Sequence, residues 1–224
     1  MANDAPDWQR VVNITAGPAL TDAPDWEKVV VGPGGSPVGG GGGAPGLLLP
    51  TDIGWAGWTC IPTLPSGTFA FSAGFIDGDL VKWAKSTTIS KIGFYNNLAG
   101  VLTANENFLG VYSATPGTGP FITANLLAST APGACDAPCS VVGYNEVALA
   151  NPLAVTEGGF AYIVFLFNGT TMPTPNIYSY VETTTNPLVG FDWITKVGGY
   201  TTLPASLAAA DVNPGGSVNY AYAL

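Results

Sequence analysis

Histidine is absent from the 224 residues, and only 9% of positions are charged. Without an imidazole, Ser-His-Asp and Cys-His nucleophile arrangements are excluded, together with the commonest ligand set for zinc. Basic residues are scarce: six, against 15 acidic ones, for a net charge of -9. Five of the six (Arg10, Lys28, Lys82, Lys85, Lys91) precede residue 92, and Lys196 stands alone in the C-terminal half. Phosphate backbones are held by clustered cations that displace counterions, so neither nucleic acid nor an anionic membrane surface is an expected partner. Long apolar runs are missing too. The longest, Phe160 to Phe167, falls far short of the ~18 residues of a membrane-spanning helix, so no membrane insertion is expected. The start, MANDAPDW, has neither a basic region nor an apolar stretch and does not read as a secretory signal, which suggests synthesis in a cytoplasm. Cysteine is limited to Cys60, Cys135 and Cys139, too few and too odd a number for a disulfide scaffold. Cys135 and Cys139 are near enough in sequence to pair in a loop, but reduced thiols are the expectation.

What the chain has in excess is glycine (30 residues) and proline (19), with a hydrophobic fraction of 47%. Near the N-terminus one phrase occurs twice: Asp4-Ala5-Pro6-Asp7-Trp8 leads through a polar pair to Val11-Val12, and Asp22-Ala23-Pro24-Asp25-Trp26 to Val29-Val30. The prolines fix φ and extend the residue before them, and neither copy is large enough to bury its own indole. Residues 1–31 therefore read as an arm with two equivalent adhesive segments, whose anchoring side chains are Trp8, Val11, Val12, Trp26, Val29 and Val30. Two linked weak contacts give avidity. If instead both tryptophans fold back onto the rest of the chain, the arm is part of the fold. Residues 32–46, GPGGSPVGGGGGAPG, read as a linker; no Lys-Ser/Thr follows that would make them a phosphate loop.

Residues 47–224 show a succession of short strand candidates: Gly67–Phe75, Leu80–Ala84, Thr87–Asn96, Asn107–Ser113, Asn125–Ser129, Val141–Leu149, Phe160–Asn168, Ile177–Val181, Gly198–Leu203 and Val218–Ala223. Phe160 to Phe167 is apolar on both faces, which marks a central strand covered on both sides. Turns are expected at Asp77-Gly78, Asn96-Asn97 and Asn151-Pro152, among others, and one helical turn near Pro204–Ala210. The expected fold is all-β: an antiparallel two-sheet, jelly-roll-like sandwich behind an extended N-terminal arm.

No constellation of catalytic residues stands out, and no cofactor or metal site is expected. Asp77-Gly78-Asp79 offers two carboxylates, yet a calcium loop needs more oxygens at fixed positions, so a hairpin turn is the expected role. No local motif selects any two carboxylates for glycoside hydrolysis. Aromatic planes amid Asn, Asp and Thr can hold sugars, although aromatics also fill sandwich cores. Tyr178, Tyr180, Trp193 and Tyr200, close to loops, are the candidate glycan-binding residues.

The arm motif, the Gly/Pro joint and the segments Gly110–Ser113, Asn125–Ala131 and Ala148–Thr171 (ALANPLAVTEGGFAYIVFLFNGTT) together resemble virion structural proteins of tailed phages that infect actinobacteria. The resemblance covers residues 1–30 and 67–181 and carries no catalytic signature. It implies a β-sandwich of the jelly-roll or carbohydrate-binding type in a minor tail or fibre protein, assembled in the host cytoplasm and located in the virion. Expected partners are other virion proteins, through residues 1–31, and host cell-envelope glycan. A homo-oligomer is expected, a trimer being one form, in which Leu47–Leu49 and Tyr220–Leu224 would find packing partners. The competing readings are a capsid decoration or head-fibre protein and a glycan-active enzyme.

Overall fold

The computed structural model describes residues 49–59, 67–68, 71–114, 123–179, 192–196, 198–208, 212–214 and 217–224. The arm, with Trp8, Val11, Val12, Trp26, Val29 and Val30, and the linker at 32–46 lie outside the described residues.

A 3₁₀ turn at Pro50–Ile53 precedes β1 (Gly57–Trp58) and β2 (Gly67–Thr68). Next come β3 (Ile76–Lys82), β4 (Thr87–Leu98), β5 (Val101–Leu102), β6 (Phe108–Ser113) and β7 (Thr123–Ser129). One short helix, α1 (Asp136–Cys139), leads to β8 (Gly143–Val155), β9 (Phe160–Leu166), β10 (Gly169–Thr171) and β11 (Thr174–Ser179). The chain closes with β12 (Asp192–Lys196), β13 (Ser206–Ala208), β14 (Val212–Pro214), β15 (Ser217–Asn219) and β16 (Ala221–Ala223). All pairings among the described strands are antiparallel. Among the described strands, one seven-stranded sheet runs β1-β16-β4-β11-β15, with β8 also on β4 and β2 also on β11; a second runs β13-β7-β6-β9-β3-β12-β14, and β5 and β10 form a separate two-stranded pair. The two-sheet antiparallel sandwich read from the sequence is the observed fold.

The second sheet curls, and its central strands β6, β9 and β3 are buried on both sides. From β9, Ala161, Ile163 and Phe165 enter the layer between the sheets, where they meet Ile92, Phe94, Val147 and Ala221 of the first sheet. Tyr162, Val164 and Leu166 point the other way, into a second cluster that contains Leu207 of the edge strand β13 and Ile194 of β12. Residues from strands this far apart in one sheet share a cluster only if the sheet bends around them. Glycine permits the bend. In register across the concave face lie Ile194, Gly78, Val164 and Gly110. A β-carbon at Gly78 would stand 2.5 Å from Val164 Cγ1, and one at Gly110 would stand 2.5 Å from Leu203 Cδ1. The Tyr112 hydroxyl donates to the Pro204 carbonyl at 2.6 Å, seating the 198–205 segment over this face.

Several expectations need correction. Asp77-Gly78 is the middle of β3, not a turn, and Asn96-Asn97 lies within β4. Asn151-Pro152 is inside β8, where the pairing with β4 shifts register between Ile89 and Lys91 and absorbs the extra residues. Residues 198–203 form no strand, and the region expected to be helical contains β13. Tyr220 to Ala223, expected to seek a partner subunit, are buried in their own sheet at 0–3% exposure.

Candidate functional site

Where β1 of the first sheet crosses the end of β3 in the second, a cleft of about 400 Å³ opens, lined by Pro50, Trp58, Lys82, Trp83, Glu157 and Gly158, with Ala84. Its walls are held by backbone. Pro50 starts the 3₁₀ turn and Gly54, in the left-handed region at φ 83°, ends it, so Trp55 N donates to the Pro50 carbonyl at 2.9 Å. Lys85 Nζ donates to the Gly54 carbonyl at 2.8 Å. Gly57 lets the sheets approach, because a β-carbon there would meet Val81 Cγ2 at 2.9 Å and the Lys82 carbonyl at 3.0 Å. Across the cleft, Gly158 N donates to the Trp83 carbonyl and Trp83 N to the Gly159 carbonyl, both at 2.9 Å, while Ser86 Oγ accepts from Glu157 N.

The side chains divide by chemistry. Trp83 is buried and forms the floor, Trp58 is a half-buried wall, and Lys82 and Glu157 are exposed at the rim. Trp58 is held edge to face by Trp55 at 6.1 Å. Lys82 Nζ rests 5.7 Å from the centre of the Phe160 ring. An indole surface beside a donor-only ammonium and an acceptor-only carboxylate suits a ligand with one apolar face and hydroxyls that both give and accept hydrogen bonds. The volume lies within the range of small-molecule sites, about 300–1,000 Å³.

Asp77 and Asp79 are a separate feature. Both are 2% exposed and both face the layer between the sheets, since they pair in register with Phe165 and Ile163. Asp79 Oδ2 accepts from the backbone N and from Nδ2 of Asn219, each at 2.9 Å, so it ties β3 to the opposite sheet. Asp77 Oδ1 accepts from the Thr195 hydroxyl at 2.6 Å. No described lysine serves as counter-ion: Lys82 lies over Phe160, Lys85 binds Gly54, Lys91 pairs with Glu146, and Lys196 lies over the Tyr200 ring. Burial therefore pushes the Asp77 carboxyl up to about 6 and that of Asp79 up to about 8, although their hydrogen bonds oppose the rise. Among the described residues no group of three or more His, Cys, Asp or Glu could hold a metal ion.

Of the glycan-binding candidates, only Tyr200 has a described side chain. Tyr200 is half-buried against the concave cluster, with Lys196 Nζ 5.8 Å from its ring. Tyr178 belongs to β11 of the first sheet and Trp193 to β12 of the second; their side chains, and all of Tyr180, lie outside the described residues. Asn168, the first residue of an Asn-Gly-Thr triplet of the kind that accepts N-linked sugar, donates its amide to the carbonyls of Glu106 and Tyr200, at 3.0 and 2.8 Å. Cys135 and Cys139 are free thiols, both buried. The cleft residues escape sequence reasoning because they come from three separate segments. The one local signal is Lys82-Trp83, a cation and an indole at the end of a strand.

No protein-family model matches the sequence, and no curated protein is significantly similar to it.

Proposed function

We propose that this chain is a non-enzymatic structural protein of a phage virion, of the minor tail or fibre type, whose sandwich adheres to host-surface glycan. The observation that carries the adhesive part is the cleft, where half-buried Trp58 offers an indole face to a sugar ring beside the buried Trp83, and Lys82 and Glu157 meet its hydroxyls. The virion part is supported by the resemblance in the core segments and by the doubled Trp-x-x-Val-Val arm, which suits attachment to repeated sites on a particle.

Two experiments address the two parts. Full-length protein should bind insoluble glycan prepared from actinobacterial cell envelopes. Because Lys82 and Glu157 are exposed, Lys82→Ala combined with Glu157→Gln should weaken binding about tenfold, one or two lost hydrogen bonds, without lowering the melting temperature. Equal binding by the double variant would remove the cleft from the account. For the arm, Trp8→Ala with Trp26→Ala should leave the sandwich folded but absent from assembled particles, and incorporation at wild-type levels would refute the anchoring role.

A further inference from the structure

We infer that the outer face of the first sheet extends the cleft into a platform for an uncharged, linear glycan of several sugar units. The inference rests on the adhesion reading and adds the length and charge class of the ligand.

The geometry comes from strand register. Trp58 pairs with Tyr222, Tyr222 with Gly93, and Gly93 with Glu146, so these four residues form one row across β1, β16, β4 and β8. Their neighbours in sequence, Ile92, Phe94, Val147 and Ala221, face the core, which turns the row to the opposite face, where Glu146 and half-buried Trp58 reach the surface while Tyr222 stays buried between them. The Tyr222 ring lies across Gly93, where a β-carbon would stand 2.1 Å from Tyr222 Cζ. Trp55 stacks on Tyr222 at 3.8 Å and 10°. One pleat along, Tyr95 and Tyr144 pair in register and meet edge to face at 4.9 Å, with Tyr144 66% exposed.

Three strand spacings, about 14 Å, separate the two ends of the row, more than one sugar ring requires. The row runs from an aromatic end, Trp58 beside Trp55, to a polar end with Tyr95 and Tyr144 next to it, where Lys91 Nζ bonds Glu146 Oε2 at 3.0 Å and the Tyr222 hydroxyl donates to Glu146 Oε1 at 3.5 Å. Burial and the Glu146 carboxylate hold that phenol up at about 12, so it stays neutral. Lys91 and Glu146 are the only charged residues in these four strands, and they cancel. On a chain of net charge -9, a face of zero net charge matches a neutral partner and offers an anionic chain nothing to offset repulsion. The ligand class is thus a neutral polysaccharide, its apolar ring faces on the aromatics and its hydroxyls at the Lys91–Glu146 pair.

The test titrates the full chain with cellulose-, chitin- and mannan-derived oligosaccharides of increasing length, with oligogalacturonate as an anionic comparator. At least one neutral series should bind more tightly as the chain lengthens. Tyr144→Ala should weaken the longest member about tenfold, one lost aromatic contact, and leave the shortest unchanged. Binding that is independent of length and unaffected by Tyr144→Ala would overturn the platform while leaving the cleft intact. Preference for oligogalacturonate would overturn the charge class. Failure of every neutral series would overturn the platform, and the adhesion reading falls with it only if the full chain also fails to bind actinobacterial envelope glycan. If Tyr144→Ala changed only the sedimentation coefficient, the face would be a contact between copies of the chain and the inference would fall.

Discussion

Asp79 sits in the least water-like surroundings of any carboxyl described here, and its protonation sets how the domain responds to pH. A carboxyl whose folded-state pKa is raised favours the folded state at low pH: the contribution is intact below the unfolded value near 3.8 and is lost as pH rises through the folded values, about 6 for Asp77 and about 8 for Asp79. The melting temperature should therefore fall between pH 5 and pH 9. Asp79→Asn, which keeps an oxygen to accept from Asn219, should flatten that fall and be the more stable protein at the alkaline end. A parallel decline in both proteins would show that Asp79 is not its source. Gly93 offers a second test at this scale. Gly93→Ala forces the Tyr222 ring off the strand and breaks its stack with Trp55, with an expected cost of about 1–3 kcal/mol and a weakened near-ultraviolet circular dichroism signal. Unchanged values of both would mean that the ring is not held there.

Among the elements, those with uninterrupted apolar or alternating sequence were legible. β9, apolar on both faces, is the central strand of the curled sheet, covered on both sides as its composition implies. β4 and β6 also follow their pattern. β3 was hidden because Asp-Gly-Asp has the composition of a turn, and what makes it a strand is remote: Val164 fills the space over Gly78, and Asn219 receives Asp79 from 140 residues away. The cleft was illegible for the same reason, since no local pattern brings Trp58 to Lys82 and Glu157. Thr59 shows how such long-range ties act on a whole element. Its hydroxyl donates to the Asn219 carbonyl and accepts from Ala221 N at 2.9 Å, pinning the start of β16. Thr59→Val keeps the shape but leaves these groups unpaired, at about 1–3 kcal/mol. Amide exchange at Ala221 and Tyr222 should accelerate more than at β9; uniform acceleration would mean that the hydroxyl stabilises the fold without localising the strand.

At the scale of the molecule, the C-terminal region completes both sheets, with β12, β13 and β14 in the curled sheet and β15 and β16 in the other. Burial of Tyr220 to Ala223 removes one of the two segments that motivated an oligomer. What remains on the outside is Tyr144, the Lys91–Glu146 pair and half-buried Trp58 at the cleft, on a chain poor in cations. The adhesion reading rests on that surface. It is tested most directly by the indole N–H resonances of the six tryptophans, recorded while the full chain is titrated with oligosaccharide released from actinobacterial envelope glycan. With signals assigned by single Trp→Phe variants, those of Trp58 and Trp83 should move in a saturable manner and stop doing so in the Lys82→Ala, Glu157→Gln protein. Saturable shifts confined to other tryptophans, or none at all, would contradict the account.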